Sequence, residues 1–345
     1  DYHHLKWLCW FGYALSLILL ILVEFFGREV GGSARWLVLG PLSIQPSEIA
    51  KIVVLVCVAQ FLASRPERVG HLGDVAVVGA IVLPPTLLIL QQPDLGTALT
   101  LAFSAFGLLL FSSPKLPILL FLLLPVASMI TRLSIWIWAP YLLISTFLLF
   151  SPELTPRIRW PLMGWNIATG ASVPFLWQFL KPYQQQRILT FLNPGLDPHG
   201  AGYQSLQGQI AIGSGGIFGR GYLHGTQTQM SFVPQQTTDF IFTSLGEEWG
   251  LIGSILLLFI FWVICIRILK IAVDAPNRFS ELLAGGFLML VGVHIFVNLA
   301  MTMGLFPVVG VPLPFMSLGG TSLLINLIAI AILQSISMRS NQIFF

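Results

Sequence analysis

The chain has 345 residues and a formal net charge of +3, with 56% hydrophobic residues and only 9% charged residues. A soluble globular domain carries about a quarter charged residues. This composition therefore excludes a protein whose whole surface faces water. No run of basic residues favours nucleic acid as a partner. The three cysteines, Cys9, Cys57 and Cys265, lie in apolar stretches, so we interpret them as core residues and not as a disulfide framework or metal site.

Ten apolar stretches approach the length of about 20 residues that a helix needs to cross a bilayer. Backbone polar groups in lipid must pair within their own segment, so these stretches predict helices. We predict an all-α polytopic membrane protein that forms a single domain over residues 1–345. The predicted spans lie near 7–26, 46–62, 74–91, 94–111, 115–130, 133–150, 160–180, 240–269, 281–304 and 321–338.

Lysine and arginine are distributed unequally between the two sets of connections, which predicts the orientation in the membrane. The richer set holds Lys6, Arg65, Arg68, Lys115, Arg157, Arg159, Arg267, Lys270, Arg278 and Arg339. The poorer set holds Arg28, Arg35, Arg132, Lys181, Arg187 and Arg220. The sequence therefore predicts that the richer set and both termini are cytoplasmic, and that the long loop 181–238 faces outside.

The loop 181–238 is rich in glycine and glutamine but keeps apolar residues at intervals, among them Leu206, Ile210 and Ile212. Loops of this length are often functional. The spacing predicts a short amphipathic helix near 203–212 that lies in the membrane interface. A disordered tether is the alternative, although tethers seldom carry so many aromatic and β-branched residues.

Charged residues within or beside membrane spans are candidates for function. Arg35 precedes Trp36 in a polar loop, where it is either an interfacial anchor or a contact for an anion. Glu48 and Lys51 follow Pro46, which suits the first turn of a helix, and they share one helix face. They form either a structural ion pair or part of a site.

Two aspartates lie at the predicted outer starts of spans, where an acidic residue stabilises a helix N-terminus. Asp94 is interpreted either as such a cap or as the wall of a site that can hold a cation. Asp239 ends the long loop, but Thr237 or Thr238 could cap the same helix equally well. Glu247 follows two turns later. From the residues alone, Asp239 is either a helix cap or a group with a direct chemical role.

Proline and glycine are dense between Gly304 and Gly320, which breaks the helix there. Irregular backbone at membrane depth persists only where it is buried in protein or lines a cavity. We therefore predict a re-entrant segment on the outer side.

These polar groups, in this order, resemble the SEDS family (shape, elongation, division and sporulation), and most closely its RodA branch. The resemblance covers 33–51, 92–98, 183–250 and 298–322. Its most specific motifs are Gly-Ala-Gly-Tyr-Gln over 200–204 and Thr-Asp-Phe-Ile-Phe over 238–242.

The resemblance implies a peptidoglycan glycosyltransferase of the bacterial cytoplasmic membrane that polymerises lipid II for cell elongation and cell shape, releasing undecaprenyl pyrophosphate. It implies a class B penicillin-binding protein and other membrane proteins of the elongation complex as partners. Asp239 matches the family's carboxylate and is the predicted general base or metal ligand. A divalent cation, Mg²⁺ or Mn²⁺, is a candidate cofactor beside the leaving pyrophosphate. The candidate substrate-binding residues are Arg35, Glu48, Lys51, Asp94, Arg187, Arg220, Gln227 and Ser317.

Two other functions compete with polymerisation. A lipid II flippase would also use broken helices and intramembrane charges, but the two halves of the chain show no repeat and the polar groups cluster at the predicted outer face. A non-catalytic scaffold for a penicillin-binding protein would leave Asp239 unexplained.

Overall fold

The structure, a computed structural model, describes residues 2–30, 33–39, 42–65, 71–150, 154–193, 195, 201–226 and 237–340. These residues form twelve helices: α1 (His3–Phe26), α2 (Pro46–Ala63), α3 (Leu72–Gln91), α4 (Leu95–Phe111), α5 (Leu116–Thr131), α6 (Ile135–Leu149), α7 (Pro156–Phe179), α8 (Pro182–Leu192), α9 (Ala201–Gly215), α10 (Ile241–Val273), α11 (Arg278–Thr302) and α12 (Gly320–Ser340). All except α8 and α9 coincide with predicted spans, so the predicted helices are confirmed.

A small antiparallel sheet between α1 and α2 was not predicted. Its strands β1 (Arg28–Val30), β2 (Ser33–Leu39) and β3 (Leu42–Ile44) pair in the order β1-β2-β3. Leu37 of β2 pairs with Ile44 of β3. The sheet adds little to an otherwise all-α fold, but β2 carries Arg35 to the candidate site described below.

Six helices are long and apolar enough to cross a membrane, namely α1, α2, α3, α10, α11 and α12, and the shorter α4, α5 and α6 are also apolar. Burial separates the centre of this bundle from its periphery. The most apolar windows of α2 and α11 are 72% and 67% buried, whereas the corresponding shares for the other four long helices are 22–28%. α2 and α11 therefore form the core, and α1, α3, α10 and α12 leave apolar side chains for lipid.

The helices α5, α6 and α7 share a second, smaller apolar cluster and a buried polar network. The Ser128 hydroxyl donates to the backbone carbonyl of Asn166 at 2.8 Å, and the Asn166 amide donates to the Ser145 hydroxyl at 2.9 Å. Tyr141 donates to the carbonyl of Leu124 at 2.7 Å. Because lipid offers no hydrogen-bond partners, these contacts join the three helices while satisfying their polar groups.

The helix α10 is interrupted at Gly250, where φ is 65° and ψ is −157°. A side chain there would meet the Gly219 amide nitrogen at 2.3 Å, so only glycine fits. The segment that follows α9 supplies the hydrogen bonds that the interruption removes. The pairs are Leu251 N to Gly216 O, Ile252 N to Ile217 O, Arg220 N to Glu247 O and Gly221 N to Glu248 O, at 2.9 to 3.2 Å.

The predicted amphipathic helix near 203–212 is thus part of α9, and α8 is a further helix in the same loop. These described parts of the loop are folded against the bundle, which the tether alternative did not anticipate. The segment between α11 and α12 is not helical, as its proline and glycine content predicted. Its side chains Val309, Val311 and Leu313 are buried, so the broken backbone is packed within protein.

Candidate functional site

Four charged residues from four separate elements meet where the re-entrant segment approaches the start of α10. Arg35 comes from β2, Asp94 precedes α4, Arg187 lies on α8, and Asp239 precedes α10. The Arg35 Nη1 atom lies 3.7 Å from Asp94 Oδ1. Arg187 donates from Nη1 to the carbonyl of Val308 at 2.9 Å. The structure therefore brings together four of the residues that the sequence predicted for the site.

The carboxylate of Asp94 is buried, and both of its oxygens have partners. Oδ1 accepts from the Thr97 amide at 3.2 Å, which makes Asp94 the cap of α4. Oδ2 accepts from the Thr97 hydroxyl at 2.8 Å and from Gln45 Nε2 at 3.1 Å. Arg35 is itself fixed, because it donates to the carbonyls of Gln92 and Pro93. Asp94 is thus both a helix cap and the anchor of Arg35.

The backbone around Asp239 is held by α11 and by the re-entrant segment. Asn298 of α11 donates from Nδ2 to the Asp239 carbonyl at 2.8 Å and to the Val311 carbonyl at 2.7 Å. The Ser317 hydroxyl donates to the Thr238 carbonyl at 2.6 Å. Ser317 therefore contacts the residue next to Asp239, and in this structure its hydroxyl helps to fix that turn. Its predicted contact with substrate stays a prediction.

The carboxylate of Asp239 is half-buried, and the structure records no hydrogen bond to it from the described residues. Gly310 lies beneath it with φ of 76°, and a side chain there would come within 3.2 Å of Asp239 Oδ2. Glycine at that position therefore leaves the carboxylate room. Asp239 differs from Asp94 because no described residue donates a hydrogen bond to its carboxylate oxygens, which leaves them available to a substrate as far as the described part of the chain extends.

Burial and, to a smaller extent, the nearby charge of Asp94 raise the pKa of Asp239, Arg187 and Arg35 act in the opposite direction, and the net pKa is about 6. Burial and the neighbouring Arg35 in turn lower the pKa of Arg187. A carboxylate with a pKa of about 6 is mostly ionised at neutral pH and is still basic enough to accept a proton. The two guanidinium groups could stabilise an anion beside it.

Among the described residues, no group of three or more His, Cys, Asp or Glu side chains is arranged to hold a metal ion. Mg²⁺ is often bound by one or two carboxylates together with substrate phosphates. Since Asp94 is saturated, Asp239 is the open carboxylate that could contribute in that way. The divalent cation stays a prediction.

Glu48 and Lys51 form the buried ion pair that was one of the two interpretations of their spacing. Lys51 Nζ lies 2.8 Å from Glu48 Oε1, and it lies equally close, at 2.8 Å, to His294 Nε2 on α11. All three residues are less than 7% exposed. The sequence analysis missed His294 and included Asn298 only as the first residue of the matching stretch 298–322, although their four-residue spacing places both on one helix face. A substrate contact of Glu48 or Lys51 stays a prediction.

The two remaining candidates lie in the long loop. Arg220 donates from Nε to the Ser214 carbonyl and from Nη1 to the Thr226 hydroxyl, beside the interruption of α10. The structure therefore shows Arg220 supporting the loop that covers Gly250, and a contact with substrate is untested. Gln227 lies outside the described residues.

A sequence profile for the cell cycle protein family FtsW/RodA/SpoVE matches residues 1–342. The chain is 38% identical over 326 residues to the peptidoglycan glycosyltransferase MrdB of Escherichia coli strain K12, covering 94% of this chain and 76% of the relative. It is also 38% identical over 375 residues to the peptidoglycan glycosyltransferase RodA of Treponema pallidum, covering 98% and 85%.

Solved structures agree with these sequence relatives. A chain from a peptidoglycan synthase complex that coordinates polymerization and crosslinking matches with a TM-score of 0.70 and 30% identity, covering 99% of this chain and 84% of that one. A mutant of the rod shape determining protein RodA from Thermus thermophilus matches with a TM-score of 0.62 and 25% identity, covering 99% and 82%.

Proposed function

The chain belongs to the FtsW/RodA/SpoVE family, and we propose that it polymerises lipid II into the glycan strands of a growing cell wall. It is a peptidoglycan glycosyltransferase and a multi-pass protein of the bacterial inner membrane, in keeping with its 38% identical relatives and its apolar helices. The roles that we propose for individual residues depend on the geometry of Asp239 and its neighbours.

Asp239 acts as the general base of the transfer. Its carboxylate takes the proton from a sugar hydroxyl as that oxygen bonds to the anomeric carbon of a second unit. The bond from that carbon to the lipid pyrophosphate breaks, and the pyrophosphate takes the bonding electrons. Arg187 and Arg35 lie where they can offset this developing charge. The observation that carries the proposal is the open carboxylate of Asp239 beside two guanidinium groups.

A divalent cation, Mg²⁺ or Mn²⁺, would assist the same step by neutralising the pyrophosphate. Asp239 is the carboxylate available to it, because the oxygens of Asp94 already have partners.

The proposed partner is a class B penicillin-binding protein within the elongation complex, which would cross-link the new strands. A structural relative that belongs to a peptidoglycan synthase complex supports this proposal. The arrangement also requires Asp239 and the loop 181–238 to face outside, where the wall is built, with both termini in the cytoplasm.

The decisive experiment is polymerisation of purified lipid II by the purified protein with its partner. Asp239→Asn keeps the shape of the side chain but cannot accept the proton. Loss of a general base typically costs about 100- to 10,000-fold in rate, so this variant should form no detectable glycan while it folds and binds its partner. Asp74→Asn, which alters an ion pair with the half-exposed Arg65, is the matched control and should retain polymerisation.

Polymerisation by Asp239→Asn at more than about a tenth of the wild-type rate would reduce Asp239 to a structural residue, given the losses expected for a base. The dependence of the wild-type rate on added Mg²⁺ and Mn²⁺ is measured alongside, because a lost metal ligand would lower the rate in the same way. Transport of lipid II across vesicles without polymerisation would instead favour the flippase.

The orientation has its own test. Cysteines placed by Gly195→Cys and Arg339→Cys should differ in labelling by an impermeant reagent on intact cells, with only the first one labelled. Equal labelling of the two positions would contradict the proposed topology.

A further inference from the structure

His294 on α11 is a buried polar residue to which the proposed chemistry gives no role. Its Nδ1 atom lies 2.7 Å from the carbonyl of Leu290, one turn earlier on the same helix. A carbonyl can only accept, so Nδ1 carries the proton of this ring. The Nε2 atom of a neutral imidazole is then an acceptor, and Lys51 Nζ lies 2.8 Å from it. His294 therefore gives the lysine a second acceptor without adding a charge.

This contact joins the two most deeply buried helices of the bundle. Lys51 and Glu48 both lie on α2, so their ion pair alone ties α2 to nothing else. The hydrogen bond to His294 connects that pair to α11. A buried ammonium needs several partners in place of water, so the position of His294 along α11 and its rotation about the helix axis are both constrained.

The next residue on the same face of α11 is Asn298, four positions later. It donates to the carbonyl of Asp239 and to that of Val311, on the two segments that meet at the open carboxylate. A rotation of α11 that moved His294 would also move Asn298. The backbone on both sides of the carboxylate would shift with it.

We infer that His294 is a positioning residue, which uses the buried Glu48–Lys51 pair of α2 to fix the face of α11 that holds Asp239. The inference rests on the proposed function, in which Asp239 is the base. The geometry of an attack must hold to a fraction of an ångström, and a displacement of about 1 Å can cost about 100-fold in rate. Misalignment of Asp239 would lower kcat and leave the KM for lipid II nearly unchanged.

The test compares His294→Phe with His294→Gln in the protein with its partner, using purified lipid II. Phenylalanine fills the space but offers Lys51 no acceptor, whereas glutamine restores an acceptor oxygen. We expect kcat to fall by about 10- to 100-fold in His294→Phe with KM within about threefold, and to recover in His294→Gln. Phe296→Leu, at a lipid-facing position on the same helix, is the control and should leave both constants unchanged.

A second measurement does not depend on activity. Thr237 is exposed and its carbonyl accepts from the Leu318 amide, so a spin label on Thr237→Cys reports the mobility of the segment that holds Asp239. The label should become more mobile in His294→Phe and not in His294→Gln. If His294→Phe does not fold, His294→Thr replaces it, since its hydroxyl can bond to the Leu290 carbonyl but is too short to reach Lys51.

Unchanged kcat and unchanged label mobility in the variant without an acceptor would overturn the inference while leaving the proposed function intact. A loss that glutamine fails to restore would also overturn it. If the wild type forms no glycan, the proposed function fails, and the label mobility still decides whether His294 controls this segment.

Discussion

The protein holds two clusters of charge that differ in how completely the chain satisfies them. In the inner cluster, Lys51 lies between Glu48 and His294, and all three side chains are buried. In the outer cluster, Asp94 is saturated by Thr97, Gln45 and Arg35, whereas no described residue donates a hydrogen bond to the Asp239 carboxylate.

The difference indicates how charge serves two purposes in one membrane protein. A buried charge with protein partners on every side can fix the packing of helices, but it has no remaining acceptor for a substrate. A half-buried carboxylate without such partners contributes little to packing and stays available to accept a proton. We therefore expect the inner cluster to stabilise the packing of the helices and Asp239 to take part in the reaction.

The contrast between the two clusters fails if neutralising Asp239 and neutralising Glu48 have the same effect on activity and stability. Asp239→Asn should abolish polymerisation without unfolding the protein. Glu48→Gln removes the negative partner of a buried lysine, and breaking such a pair typically costs about 3–5 kcal/mol. We therefore expect a clear loss of unfolding free energy in detergent, measured by thermal or chemical denaturation.

Glu281→Gln is the matched control for Glu48→Gln, because Glu281 and Arg278 also form an ion pair three residues apart, but with side chains that are 35% and 39% exposed. Exposed ion pairs contribute about 0–1 kcal/mol, so this variant should unfold almost like the wild type. A Glu48→Gln protein that is fully stable but forms no glycan would show that the inner cluster takes part in catalysis and is not needed for packing.

Much of the architecture could be predicted because bilayer length and hydrophobic content determine where helices form. Ten predicted spans became helices, including α4 and α6, which are shorter than a typical span. The interruption between α11 and α12 was predicted from proline and glycine content. The small sheet was missed because β1 and β3 have only three residues each and the seven residues of β2 do not alternate between polar and apolar side chains.

The site was predicted less completely than the fold. Arg35, Asp94 and Asp239 were named as charges beside membrane spans and Arg187 through the family resemblance, and the structure places the four residues together. His294 was missed because it is a single polar residue in an otherwise apolar stretch, and Asn298 was noted only as the start of the matching stretch 298–322, without a role. Their partners, Lys51 and the carbonyls of Asp239 and Val311, are distant in sequence, so only the folded structure reveals the contacts.

The interruption of α10 shows the same limit. The sequence around Gly250 contains no proline, so 240–269 was predicted as one continuous span. The bend exists because the segment 216–221 binds the freed backbone groups of α10. A contact between two segments about thirty residues apart cannot be inferred from local periodicity.

The smallest expected effect concerns the outer cluster. It tests which neighbouring charges shift the pKa of Asp239. A base must be ionised, so the rate should fall as the pH drops through the pKa of Asp239, at about 6. Asp94 raises that pKa and Arg187 lowers it. Asp94→Asn, which keeps an acceptor for the cap of α4, should therefore shift the acid limb of kcat/KM to lower pH. Arg187→Gln should shift the limb to higher pH.

The measurement is the rate of glycan formation from lipid II against pH at low substrate, where kcat/KM reports the free enzyme. The opposite directions of the two shifts distinguish an effect on Asp239 from a general loss of activity, which would lower the whole profile without moving it. Shifts in the same direction, or an acid limb that persists in residual activity of Asp239→Asn, would show that another group titrates. Asp239 would then not be the base, and the two clusters would not differ in their role in the reaction.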